Sequence, residues 1–171
     1  MKAIRFEVSV PRYLLGKAFG TLHKPFFWSG LSCLRYGEVP EPILPGPEWV
    51  KIRTTYGGIC GTDWSFVTLH TSPYLSPFGS QQFVLGHENL GTVAEVGTQA
   101  GGWSVGERVL AEIPLPCAGP GFDDPCPACK RGEYNLCHRF AEGNLAPGTV
   151  LGSCSDTGGS WGPLYVAHQS Q

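Results

Sequence analysis

Glycine and proline interrupt this chain of 171 residues throughout, with 24 of the first and 15 of the second. That is roughly twice their usual combined share. A backbone broken so often turns too frequently to sustain long helices, which argues against a helix bundle or a coiled coil. The same chain carries 5 Trp, 6 Tyr and 9 Phe, far more aromatic side chains than a disordered segment needs. A hydrophobic share of 42% is enough for a core. The length fits one domain, residues 1–171.

The clearest local pattern is Trp49 to Tyr56, where Val50 and Ile52 alternate with Lys51 and Arg53. Period two predicts a half-buried strand. Phe83 to Leu85, Leu90 to Val96, Glu107 to Glu112, Val150-Leu151 and Leu164 to Val166 follow as further short strands. Thr62 or Asp63 is placed to cap a short helix carrying Trp64, Phe66, Val67 and Leu69. Residues 11–48 hold six prolines and read as strand fragments and loops, with Phe26 to Gly30 as a buried or interface patch. Several short strands at regular spacing point to a mainly β architecture, a compact barrel or sandwich. Residues 114–143 form an irregular lobe with four cysteines.

The net charge is −2 and no Lys/Arg stripe occurs, so no nucleic-acid footprint is expected. No apolar run approaches the length of a membrane span, and Arg5 and Glu7 stand where an export signal would have its apolar core. The expectation is a cytoplasmic protein with neither nucleic acid nor membrane as partner.

Seven cysteines cannot all pair, and in a cytosolic chain clustered cysteines indicate metal more often than disulfide. Cys126-Pro-Ala-Cys129 is followed by Cys137 and preceded by Cys117. Four thiolates suit a closed tetrahedral zinc site. A redox pair would need no two further cysteines nearby and would open a helix in a βαβ unit. A second constellation joins Cys60-Gly61-Thr62-Asp63 to Gly86-His87-Glu88. A Cys, a His and an acid fit a catalytic zinc that keeps one position open, with Asp63 holding the other imidazole nitrogen. Taken alone, Cys60 also fits a small buried hydrophobe and His87 a structural imidazole, or the two fit a nucleophilic pair.

Taken in order, GICGTD, GHENLGTVAEVG, VGERV, CPACKRGEYNLC and DTGGSWGPLYVAHQSQ resemble the zinc-dependent medium-chain alcohol dehydrogenases. The stretch matched is the N-terminal, GroES-like catalytic domain of that family. The resemblance implies a GroES-like β barrel with short helices and a zinc-binding cysteine lobe. It implies that Cys60 and His87 ligate a catalytic zinc with Glu88 beside it. Thr62 would hydrogen-bond the substrate alcohol, and Asp63 would hold His87. Cys117, Cys126, Cys129 and Cys137 would hold a structural zinc. Two departures stand out. The family packs the first lobe cysteines as CxxCxxC, whereas eight residues separate Cys117 from Cys126 here. Trp64-Ser65 also stand where some members place a His that relays the proton. Cys33 and Cys154 match no ligand position. His23, His70, His138 and His168 read as structural, with His70 able to line the cleft.

The family's Rossmann domain, and with it NAD or NADP, is expected outside this stretch. The dinucleotide fingerprint needs Gly at i, i+2 and i+5. Gly119 and Gly121 are followed by Asp at 124, so the pattern is absent. The chain is therefore expected to be an isolated domain or a truncated product that binds zinc without oxidising alcohols alone. At full length it would be a homo-oligomer acting on a small alcohol or carbonyl compound. Three other functions compete: a non-catalytic zinc-binding structural or protein-interaction module using the lobe alone, a co-chaperonin-like ring protein, and a nucleic-acid zinc ribbon.

Overall fold

Val50 and Ile52, the apolar half of the alternating stretch, are both buried in strand β3, Trp49–Gly57. The computed structural model describes residues 1–72, 78–140, 142–148 and 150–171. On one side β3 pairs antiparallel with β5, Asn89–Val96, and on the other with β7, Leu164–His168. Ile52 lies opposite Val93 and Tyr165 in the two ladders, so one core row crosses three strands. A two-residue strand β6, Arg108–Val109, completes the order β6-β5-β3-β7.

A second antiparallel sheet has the order β2-β1-β4, from Lys2–Glu7 (β1), Leu34–Glu38 (β2) and Gln82–Val84 (β4). Phe6, Phe27, Phe83, Leu85, Val67 and Leu69 form the core beneath it. The architecture is mainly β with short helices, as the turn density demands. Among the described residues no helix is long and apolar enough to cross a membrane.

Three expectations need correction. Residues 11–48 are not only strand fragments and loops: Val10–Phe19 is a helix, α1, with Pro at its first turn, where the missing N–H costs nothing. Lys24–Trp28 follows as a 3₁₀ turn. Of Glu107 to Glu112 only Arg108 and Val109 join a ladder. Val150 makes a single bridge to Pro114, and Leu151 is buried outside any strand.

Candidate functional site

Strand β3 runs into helix α2, Gly61–Val67, and β4 runs into β5 through Gly86 to Glu88. These two connections carry Cys60, Thr62 and Asp63 on one side and His87 and Glu88 on the other. The N-cap of α2 is Cys60, not Thr62 or Asp63. Asp63 sits at the third helical position, and its Oδ2 accepts the Cys60 backbone N–H at 3.0 Å while the Cys60 side chain accepts the Asp63 N–H. This reciprocal capping box fixes the thiol at the helix entrance. Asp63 is only 1% exposed.

Its other oxygen faces His87. Asp63 Oδ1 lies 3.5 Å from His87 Nδ1, and Thr62 Oγ1 lies 3.1 Å from His87 Nε2. With the proton on Nδ1, facing the carboxylate, Nε2 would accept from the Thr62 hydroxyl; with the proton on Nε2 the direction would reverse. Thr62, Asp63 and His87 are thus brought together, with Cys60 tied in through its backbone. Glu88 is exposed, and its side chain lies against Gly58 so closely that a Cβ there would collide with it. Cys60, His87 and Glu88 do not converge as a three-ligand cluster. The donor chemistry nonetheless fits zinc: a half-buried thiol and an imidazole whose Nε2 meets the exposed Thr62 hydroxyl. A cleft of about 390 Å³ opens beside His87 and Glu88, lined also by Tyr56, Leu110 and Glu112 among others.

Residues 158–162 tie the two connections together. Trp161 Nε1 donates to the Gly58 carbonyl at 2.8 Å, Ser160 Oγ to the Glu88 carbonyl at 3.0 Å, and the Ser160 N–H to Gly86 at 2.9 Å. Gly58 N–H donates to Glu88 directly at 2.8 Å. Gly86 has φ +94°, and a Cβ there would strike Trp161 and Ser160. Asn89 is a second tie. Its Nδ2 donates to the carbonyls of His87 and Ala111, and its Oδ1 accepts from the Ala111 N–H and the buried Tyr165 hydroxyl. Neither Asn89 nor Trp161 was singled out by sequence reasoning. Each is a lone residue of unremarkable type, and only the GHEN and GGSWG contexts pointed near them.

In the lobe, Cys126 caps a one-turn helix α3, Pro127–Lys130, that carries Cys129. Cys117 reaches them because residues 118–121 form tight turns and the Phe122 N–H donates back to the Cys117 carbonyl at 3.0 Å. The long spacer thus closes like a short one. The Arg139 guanidinium lies 4.8 Å over the Phe122 ring and donates to the Asp124 carbonyl at 2.9 Å. The Sγ atoms of Cys117, Cys126, Cys129 and Cys137 lie within 4.8 Å of one another, all buried. Among the described residues they are the one such group of three or more candidate ligands. Tetrahedral zinc with Zn–S near 2.3 Å places sulfurs about 3.8 Å apart, and Cys117 and Cys137 are 3.5 Å apart. Backbone N–H groups of Cys126, His138 and Arg139 donate to the sulfurs at 3.4 Å, which favours thiolates. The His138 and Cys129 N–H groups hold the Cys126 thiol down at about 6, whereas burial pushes Cys129 and Cys137 up.

Cys33 and Cys154 are buried, and burial raises both thiols, which makes them inert. His23, His70 and His138 are exposed. His70 Nδ1 meets Thr68 Oγ1 at 2.8 Å, and buried His168 packs edge-on against Trp49.

Comparison with known proteins gives consistent results. Residues 46–171 match the family model described as the alcohol dehydrogenase GroES-like domain. A probable D-xylulose reductase A of Neosartorya fischeri is 33% identical over 136 residues, covering 74% of this chain and 35% of that protein. A sorbitol dehydrogenase of Halalkalibacterium halodurans is 38% identical over 113 residues, covering 66% and 29%. The chain thus spans about a third of the length of the curated relatives it matches. Among solved structures, the alcohol dehydrogenase of Aeropyrum pernix superposes with TM-score 0.66 at 20% identity, covering 99% of this chain and 38% of that one. The alcohol dehydrogenase of Thermus sp. ATN1 gives 0.65 at 24%, covering 99% and 38%. The fold is the GroES-like one.

Proposed function

The chain belongs to the alcohol dehydrogenase GroES-like domain family, and from that premise we propose that it is the substrate-binding, zinc-carrying part of an oxidoreductase that interconverts small alcohols with aldehydes or ketones. The observation that carries this reading is the chain of contacts from buried Asp63 through His87 to the exposed Thr62 hydroxyl, beside Cys60 at the helix cap. Cys60 and His87 would hold a catalytic zinc, with Glu88 beside it. Bound zinc supplies Lewis-acid polarisation of the substrate oxygen, and a nicotinamide cofactor supplies the hydride acceptor.

The residues of this chain do the positioning. Asp63 keeps the proton on Nδ1 of His87, so that Nε2 is the donor atom. Were Nε2 to hold a zinc, the Thr62 hydroxyl would be free to bond the substrate hydroxyl and to pass its proton outward. Cys117, Cys126, Cys129 and Cys137 would hold a second, structural zinc. No GxGxxG occurs in the chain, so NAD or NADP would be bound by residues outside it, and turnover would require them.

A second reading is a zinc module without catalysis, favoured by the fact that among the described residues only the four lobe thiols converge. Metal content separates the two. The first reading expects two zinc ions per chain, one lost in Cys60→Ser and the other in Cys129→Ser. A wild-type chain with one zinc, unchanged in Cys60→Ser, would establish the second.

A further inference from the structure

Arg5 in β1 and Arg35 in β2 are direct partners in the antiparallel ladder. Residues directly opposite point to the same face of a sheet, with Cβ atoms about 5 Å apart, so these two side chains leave the backbone side by side. A guanidinium is always charged, and like charges in this position destabilise a strand pair. A third cation joins them. Residues two apart on a strand share a face, which puts Glu7 beside Arg5, and Arg12, in the first turn of α1, reaches the same carboxylate. Arg5 Nη2 lies 3.8 Å from Glu7 Oε2, and Arg12 Nη1 lies 3.4 Å from Glu7 Oε1. Among the described residues Glu7 is the only carboxylate within ion-pair distance of the three guanidiniums. Three positive charges therefore share one negative charge.

The hydrogen bonds show the same deficit. Arg5 Nη1 donates to the Glu38 carbonyl at 3.3 Å, and Arg35 Nη1 to the Leu34 carbonyl at 3.0 Å. Arg5 Nε and Arg35 Nη2 are buried and have no partner among the described residues. A guanidinium carries only donors, and buried donors are nearly always satisfied. Bonds from Arg to a carboxylate ordinarily run to about 2.7–2.9 Å, so Glu7 holds its two neighbours loosely. The cluster is not sealed, because the side chains of Arg5, Glu7 and Arg12 are 20%, 35% and 36% exposed.

We propose that Arg5, Arg12 and Arg35 form a binding site for a phosphoryl dianion, either free phosphate or the phosphate of a monoester. Charge selects the class: three guanidiniums less one carboxylate leave two positive charges, which a dianion neutralises. The donors agree, because planar guanidinium forks match phosphate oxygens and the unpartnered Arg5 Nε and Arg35 Nη2 have bonds to give. Arg12 belongs to α1, whereas Arg5 and Arg35 belong to the sheet. A bound anion would thus tie the start of the 8–33 excursion to the two strands it leaves and rejoins. The site uses none of the candidate zinc ligands, so it stands apart from the alcohol-site reading.

The test uses the full chain with isotope-labelled arginine. Inorganic phosphate and glycerol phosphate are titrated at constant ionic strength, with chloride as the reference salt. The expected result is a saturable shift of the Arg5 side-chain N–H resonance. At about a hundred times the dissociation constant, the thermal midpoint should rise by about 5–10 °C. A response to both probes supports a site for phosphoryl groups in general, and a response to inorganic phosphate alone supports one closed around the free ion. Arg35→Gln should weaken phosphate binding about tenfold, and Arg35→Lys, which keeps the charge without the fork, should recover part of it. In chloride the midpoint of Arg35→Gln should stay level or rise, since a like-charge pair has been removed. Arg12→Gln, at the exposed end of the cluster, should weaken binding several-fold and guards against a variant at position 35 that fails to fold. Phosphate acting no differently from chloride overturns the inference. So does an Arg35→Gln or Arg12→Gln chain that binds phosphate as tightly as the wild type.

Discussion

Asn89 is a single amide that satisfies groups on three separate segments: the His87 carbonyl, both backbone polar groups of Ala111, and the Tyr165 hydroxyl. Tyr165 has no exposed surface, and burial raises its hydroxyl well above the usual range, so it must donate to something. Asn89→Ala removes that acceptor and leaves Ala111 unpartnered. Each buried orphan costs about 1–3 kcal/mol, so urea unfolding should report a loss of about 3 kcal/mol or more. A loss within experimental error would show that water replaces the amide without penalty. Cys60, Thr62, Asp63 and His87 were legible in the sequence because thiol, imidazole and carboxylate types advertise their chemistry. Asn89 was not, because one amide beside a motif has no signature. Only its partners, 22 and 76 residues away, reveal its task.

Elements show the same division for a different reason. Strands β3 and β5 were legible because side chains alternate between core and solvent with period two. Helix α1 was not, because part of its buried stripe is glycine. Gly16 is buried within α1 and Gly20 just beyond it, with half-buried Tyr13 on the same side, while Val10, Leu14 and Phe19 are exposed. A contact face made by the absence of side chains leaves no hydrophobic period to read. The expected strand over Glu107 to Glu112 stops at Val109 because the Asn89 side chain takes the place of a neighbouring strand at Ala111. The connection from β4 to β5 depends on Gly86 in the left-handed region, pressed against Trp161 and Ser160. Gly86→Ala is therefore both strained and blocked, and should cost about 2–4 kcal/mol. Calorimetry of the variant would measure this, and a midpoint within a degree of wild type would mean that residues 158–162 yield freely.

At the scale of the whole molecule, two kinds of connection coexist. The sulfur cluster is built within one stretch, Cys117 to Cys137, and its N–H donors lie inside or next to that stretch. It contributes its own small cluster, separate from the two sheets' cores. A chelator should therefore act locally. Hydrogen exchange is expected to quicken across residues 117–139 while the amides shared by β3 and β5 keep their protection. Uniform loss of protection would show that the lobe supports the sheets after all.

The bonds from Ser160 to Glu88 and from Trp161 to Gly58 span 72 and 103 residues. Contacts of such separation form slowly, since a long loop must close first. The lobe's thiols, by contrast, need only the short loops within residues 117–139 to close. The sulfur cluster then matures first, and the His87 loop is locked only when the segment carrying Trp161 docks. Folding thus orders the two regions in time, gathering the four thiols while the connection beside His87 is still open.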